Sequence, residues 1–395
     1  MKRFSLSIAL IALSLTFGTY VPKVHAAGFE VSGWIPYWAA SDGIRDAAKH
    51  LDILTSVYPF SFSVNTNGSL KDLADMGKGA WKRFVRQAKI AGVEVIPTVM
   101  WSNTERIHEV LSDKKLRASH IEAIVKMVDK GGYDGVDIDY EGKKASTRPH
   151  YSVFLKELKA ALGGKILSCT IEARTPPDSL YTSIPKNLEY ANDYAEINTY
   201  CDRVNIMAYD QQRADLKLNS ARAGGPYYPN ADLAWVKKVM TLTSKTIDKD
   251  KLLVGVPTYG RELEVTVSPN WFQSYKQLWS VSDEYARDTA DKYDVTPVRN
   301  AAGELSYSYV PTKSGAKLLS SVSLSPKDSK GDEIAARALA YANKTGKTTT
   351  VHTVWWSDAQ AVVDKVALAR EMGLRGVALF KIDGNEDKDL WDAFK

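Results

Sequence analysis

The chain has 395 residues, 44% of them hydrophobic, with 52 Lys and Arg against 47 Asp and Glu. That apolar content excludes a disordered chain, and a formal charge of +5 over this length calls for neither nucleic acid nor an anionic membrane surface. The length accommodates one large α/β barrel with an insertion, or two ordinary domains.

Lys2 and Arg3 precede an apolar run from Phe4 to Phe17, and small residues follow at Ala26 and Ala27. This pattern predicts a secretory signal peptide over residues 1–26 and a protein secreted or held at the exterior of the cell envelope. The run is shorter than the roughly 20 apolar residues of a membrane helix, so stable membrane insertion is not expected. Loss of 1–26 removes Lys2, Arg3 and Lys23, which leaves 49 basic against 47 acidic residues and a charge of +2. The remainder reads as soluble, with a monomer as the default.

Eight strand-like apolar runs follow: VSGWIPYW (31–38), ILTSVYPFSF (53–62), VEVIPTVMW (93–101), GVDIDYE (135–141), KILSCTIEAR (165–174), RVNIMAY (203–209), LLVGVPTY (252–259) and GVALFKI (376–382). Helical patterns lie between them. In 149–163, Tyr151, Phe154, Leu155, Leu158 and Leu162 recur at helical spacing before Gly163, and a helix over 115–130 stops in the same manner at Gly131. Strand–helix alternation predicts a parallel sheet with crossover helices, and eight units predict an α/β fold of the (β/α)8 TIM-barrel type. An open doubly wound sheet is the alternative. The barrel is assigned to 27–263 and 351–395. Residues 264–350, rich in Tyr, Ser and Thr, form a small α+β insertion after strand seven, placed to build one wall of a cleft.

Cys169 and Cys201 fall in or beside neighbouring strands; a disulfide and two buried thiols are both open. The six His are scattered, so neither a metal nor another cofactor is expected.

The most informative segment is DGVDIDYE, 134–141. A strand alternates faces with period two, so Asp137, Asp139 and Glu141 point one way and Val136, Ile138 and Tyr140 the other. In a barrel the apolar set meets the helices and the three acids line the interior, rising toward the rim. Stacked carboxylates raise one another's pKa, which keeps the outermost acid, Glu141, protonated and able to donate. A solvated acidic strand or a calcium site fits the pattern poorly. Acids two apart on one strand lie roughly 6.6 Å apart on the same side, whereas a two-carboxylate retaining glycosidase needs about 5–5.5 Å across the scissile bond. A nucleophile would have to come from elsewhere, with Glu172 and Asp210 as candidates.

DGVDIDYE resembles the DxxDxDxE signature of glycoside hydrolase family eighteen, the chitinase family. VNIMAYD (204–210) resembles the family's sixth-strand motif, and GVPTYGR (255–261) its seventh-strand motif followed by an insertion domain. WWSDAQAVVDKVALAREMGLRGVALF (355–380) resembles its closing helix and eighth strand. The resemblance implies a secreted retaining hydrolase with a glycan substrate containing N-acetylhexosamine: chitin, peptidoglycan or an N-glycan core. Glu141 would be the acid and then the base. Asp139 would orient the substrate's acetamido N–H, Asp137 would share a proton with Asp139, Tyr209 would hold the acetamido oxygen, and Asp210 would help position the sugar. One position departs from the family: Phe380 stands where a Trp commonly floors the acetamido subsite. A non-catalytic sugar-binding protein on the same fold is the alternative, against which the intact Glu141 weighs.

Aromatic faces suit pyranose rings. Tyr37, Trp38, Trp101 and Tyr259 are expected at the rim, with Trp355, Trp356 and Arg261. Arg174 and Gln211 are further candidates.

Overall fold

A computed structural model describes residues 28–222, 224–324 and 331–395; the expected signal peptide, 1–26, lies outside them. Seven barrel strands come first, with two short strands, Leu70–Asp72 and Glu94–Val95, paired beside the second: β1 (Glu30–Pro36), β2 (Ser56–Val64), β3 (Thr98–Trp101), β4 (Gly135–Tyr140), β5 (Ile166–Glu172), β6 (Arg203–Met207) and β7 (Leu252–Pro257). An insertion supplies β8 (Gly260–Ser268), β9 (Trp271–Val281), β10 (Val298–Arg299), β11 (Leu305–Tyr309) and β12 (Thr349–Trp356), and β13 (Gly376–Phe380) closes the chain. β1 to β7 and β13 pair in parallel round a ring that closes between β1 and β2 and between β13 and β1. The fold is therefore the (β/α)8 barrel, and the open sheet is excluded.

The two faces of the strands explain why this sequence closes. Val136, Ile138, Ile171, Val204, Ile206, Val254, Val256, Val377 and Leu379 are buried in one cluster with the helices outside the ring. Inside, Trp34, Tyr58, Ile96, Leu253 and Ala378 make a separate apolar cluster. The helices begin and end where local chemistry dictates. Asp113 accepts from the backbone N–H of Lys115 and Leu116 to start the helix Lys114–Gly131, and Gly132, at φ 62°, stops it. Pro149 sits in the first turn of the helix Arg148–Leu162, which ends before Gly163, also at φ 62°.

Charge locks the end of the ring where the strands begin. Buried Glu30 accepts from Ser56 Oγ at 2.9 Å and Arg203 Nε at 3.0 Å and pairs with Arg375; Arg203 also pairs with Glu94. Four strand beginnings are held by one ion cluster, which leaves the opposite rim free for chemistry.

Cys169 on β5 and Cys201, after the helix Tyr194–Tyr200, form a disulfide 32 residues apart with Cα atoms 6.1 Å apart. This settles the choice left open by the sequence. Closing a loop of that length is expected to contribute about 4 kcal/mol. The double variant Cys169→Ala/Cys201→Ala should lose that amount in a urea titration, with a somewhat steeper transition because the uncrosslinked unfolded chain exposes more surface.

The insertion is a five-stranded antiparallel sheet in the order β9-β8-β12-β11-β10. The expected bounds, 264 and 350, fall within β8 and β12, so the sheet itself runs from Gly260 to Trp356. Trp355 and Trp356 belong to this sheet and not to the rim. Both faces of β12 are covered there. Trp355 packs beside Tyr227 and Ala302 and donates to Glu304 at 2.6 Å; Trp356 packs beside Val281 and Tyr307 and donates to Asp283 at 2.8 Å. Glu304, fully buried, also accepts from the backbone N–H of Asn230 and Ala231 at 2.9 and 3.0 Å and from Ser357 Oγ at 2.6 Å. One carboxylate thus rivets the insertion to the barrel loop before the helix Leu233–Thr243.

Candidate active site

β4 carries its acids inward, as period two requires. Asp137, wholly buried, accepts from Thr98 Oγ1 at 2.9 Å, Thr170 Oγ1 at 2.8 Å and Trp34 Nε1 at 3.3 Å. Burial pushes its carboxyl up, and these hydrogen bonds oppose the shift. Asp139, one step nearer the rim, is 3% exposed, and its Oδ1 has no hydrogen-bond partner. Burial, then the charges of Glu141 and Asp137, pushes this carboxyl well above its usual range. A buried carboxyl oxygen without a partner costs on the order of 1–3 kcal/mol.

Glu141 follows the last residue of β4, and its backbone N–H extends the ladder to the Trp101 carbonyl at 2.9 Å. Its side chain opens on a cleft of about 320 Å³ lined also by Asp139, Glu172, Tyr209 and Asp210. Burial, then Glu172 and Asp210, pushes the Glu141 carboxyl up, while Lys143 opposes them. The apolar side of the cleft is Trp34, Phe60, Met207, Trp235 and Phe380.

β6 and β7 supply the facing wall. The Tyr209 ring stacks on Phe380, centres 5.3 Å apart and planes 16° apart. Asp210, past the end of β6 at φ 55°, accepts from Tyr259 Oη at 2.6 Å and pairs with Arg261. Tyr259 and Arg261 thus reach the site by holding Asp210. Tyr37 and Trp38 stand at the end of β1, 37% and 53% exposed. The edge of Trp38 meets Phe60 at 5.8 Å, and Phe60 meets Phe380 at 5.9 Å, which makes an aromatic path from the rim to the cleft floor.

Three expected rim residues lie elsewhere, besides Trp355 and Trp356. Trp101 pairs in register with Tyr140 and shares its outward face, packing on Tyr140 at 5.4 Å and His120 at 5.5 Å. Arg174 is held between the rings of Tyr190 and Tyr194 and donates to the Asn192 carbonyl at 2.8 Å, so it pins a loop. Gln211 is buried, accepting from the Asp232 backbone N–H at 2.8 Å and donating to Tyr227 Oη at 3.3 Å.

Sequence reasoning missed Trp34, Phe60, Met207, Trp235 and Lys143, and took Glu172 only as a possible nucleophile. Period two on β1 and β2 carries a signal for Trp34 and Phe60. Trp235, on the helix Leu233–Thr243 with its indole N–H on Thr175 Oγ1 at 2.8 Å, has none.

Residues 32–385 match the family described as glycosyl hydrolases family 18. The cortical fragment-lytic enzyme of Bacillus cereus is 24% identical over 92% of this chain and 73% of its own length. The class V chitinase CHIT5 of Lotus japonicus is 24% identical over 96% and 90%. The YdhD protein of Bacillus subtilis is 24% identical over 83% of this chain, which spans 66% of that relative's length. Among solved structures, the Bacillus cereus spore cortex-lytic enzyme SleL superposes with a TM-score of 0.67 at 20% identity, covering 93% of this chain and 73% of that one. A chitinase from Chromobacterium violaceum superposes with a TM-score of 0.66 at 18% identity, covering 93% and 98%. With the family matched from the first barrel strand to beyond the last, the chain belongs to glycosyl hydrolases family 18.

Proposed function

We propose that the protein is an exported, retaining glycoside hydrolase that cleaves β-1,4 bonds next to an N-acetylhexosamine by substrate assistance. The observation that carries this reading is Asp139, which lines the cleft beneath Glu141 and whose carboxyl the fold leaves short of donors. An acetamido N–H is the donor that such a carboxyl lacks. Glu141 gives its proton to the glycosidic oxygen as the C1–O bond breaks, and the acetamido carbonyl oxygen bonds to C1. Asp139, sharing one proton with Asp137, receives the N–H and faces the positive charge of the oxazolinium formed. Tyr209 steadies the acetamido oxygen, and Phe380 supplies an apolar floor. Water then attacks C1 as the bond from C1 to the acetamido oxygen breaks, which restores the acetamide, and the water gives its proton to Glu141.

The alternatives to a substrate nucleophile are already committed. Glu172 accepts from Gly142 N–H and Asn192 Nδ2, and Asp210 is held by Tyr259 and Arg261. Export is supported by the pattern in 1–26 and by the disulfide, which suits an oxidising compartment. The substrate is a polymer of the chitin or peptidoglycan type. A sugar-binding protein without hydrolysis is the second reading, favoured only by Phe380, whose ring covers less sugar than an indole.

Aryl chitooligosaccharides and purified peptidoglycan test both. Hydrolysis with a β-anomer formed first, by NMR, and inhibition by a thiazoline mimic of the intermediate are expected. An α-anomer first excludes the mechanism, and tight sugar binding without turnover selects the second reading. Tyr209→Phe should lower kcat by about tenfold with KM little changed, since the lost hydroxyl acts as charge develops.

A further inference from the structure

Two charged side chains beside Glu141 take no part in the steps above. Glu172 ends β5 and lines the cleft, and Lys143 lies two residues beyond Glu141 with a fully buried side chain. The Glu172 carboxylate accepts from Gly142 N–H at 2.9 Å and from Asn192 Nδ2 at 2.8 Å, and its Oε2 is 3.7 Å from Lys143 Nζ. Lys143 Nζ also donates to the Tyr140 carbonyl and stands 4.8 Å from the centre of the Tyr151 ring. Tyr140 and Gly142 are the two chain neighbours of Glu141, so the backbone on both sides of the acid is tied to one ion pair. A buried ammonium is costly, and a fold that needed only to fill this gap would do better with an apolar side chain.

We infer that Glu172 and Lys143 are positioning residues for Glu141: the ion pair fixes the turn that presents the acid and sets a second carboxylate beside it. This rests on the reading of Glu141 as proton donor. The groups facing Glu141 are Asp139 on its own strand, Glu172 from β5, Tyr209 and Asp210 from β6, and Lys143. Tyr151 and Tyr194, from the helices Arg148–Leu162 and Tyr194–Tyr200, face Glu172. Burial pushes Glu172 up, but Lys143 and the hydrogen bonds it accepts bring it below its usual range, while burial and Glu172 push Glu141 up. Two neighbouring carboxyls are thereby driven apart, one anionic and one protonated.

The test is a carboxyl titration followed by ¹³C NMR on protein labelled in its Glu side chains, with Glu141 assigned from the signal lost in Glu141→Gln. Glu172→Gln keeps an acceptor for Gly142 N–H, and Asn192, whose Oδ1 has no partner, can turn to accept from the new amide. It should lower the Glu141 midpoint by about one pH unit. Lys143→Met should raise it by a similar amount, with Lys143→Gln in its place if the Met variant does not fold. The basic limb of kcat/KM should move with the midpoint in each. An unmoved midpoint in Glu172→Gln overturns the role of Glu172, and an unmoved or lowered one in the Lys143 variant overturns that of Lys143. The titration needs no substrate. A wild type inert on every N-acetylhexosamine polymer would therefore sink the proposed activity while leaving this measurement to decide the pair.

Discussion

Glu141→Gln is expected to lower kcat/KM on a chitooligosaccharide by about a thousandfold, within the range that a positioned general acid–base contributes. The amide keeps the size and shape of the side chain but has no acidic proton to give. The residue makes no side-chain bond that the fold needs, so the thermal midpoint should move little, and sugar affinity should survive. The wild type adds a pH signature. Donation requires the protonated acid, and burial with Glu172 and Asp210 holds that proton to higher pH than in a free Glu side chain. Activity should therefore fall with rising pH only above the ordinary carboxylate range, and the variant should lose that limb. An equal rate in variant and wild type would remove Glu141 from the chemistry.

Asp139→Asn should cost about a hundredfold in kcat, or about 3 kcal/mol of transition-state stabilisation. An Asn at this depth still offers an oxygen to the acetamido N–H. It cannot offer the negative charge that the Asp137–Asp139 pair sets beneath a cationic intermediate, and in a buried site that charge acts with little screening. The two variants separate on inhibitor binding. A thiazoline mimic should bind Glu141→Gln nearly as well as wild type and Asp139→Asn far more weakly, by calorimetry. Equal binding to all three would show that Asp139 does not face the intermediate.

Much of this arrangement was legible where one local rule governed. Alternation over 134–141 put the three acids inside and Val136, Ile138 and Tyr140 outside; Gly163 marked one helix end, and Gly131 marked another, one residue short of the capping Gly132. The errors arose where a longer-range fact intervened. The apolar run 93–101 read as one strand, and it breaks into Glu94–Val95 and Thr98–Trp101 about Pro97, which has no N–H for a ladder; alternation passes through the break unchanged, so Trp101 shares the outward face of Val95 and Val99 and packs with Tyr140. Trp355 and Trp356 resembled barrel residues because the strand carrying them returns to the barrel. Its partners, β8 and β11, lie far away in sequence, and no local pattern names them. Arg174 and Gln211 have the right chemistry and rim-like positions, yet loop side chains claim them first. Lys143 carried no signal, since a lysine in a polar stretch such as EGKKAS reads as solvated until the fold closes over it.

Glu304 has a consequence for traffic through the cleft. With four donors from both sides of the junction on one buried carboxylate, the insertion cannot swing as a lid. The rivet also fixes β8, whose Arg261 pairs with Asp210, so the carboxylate at the edge of the cleft is kept aligned from the insertion side without any closing motion.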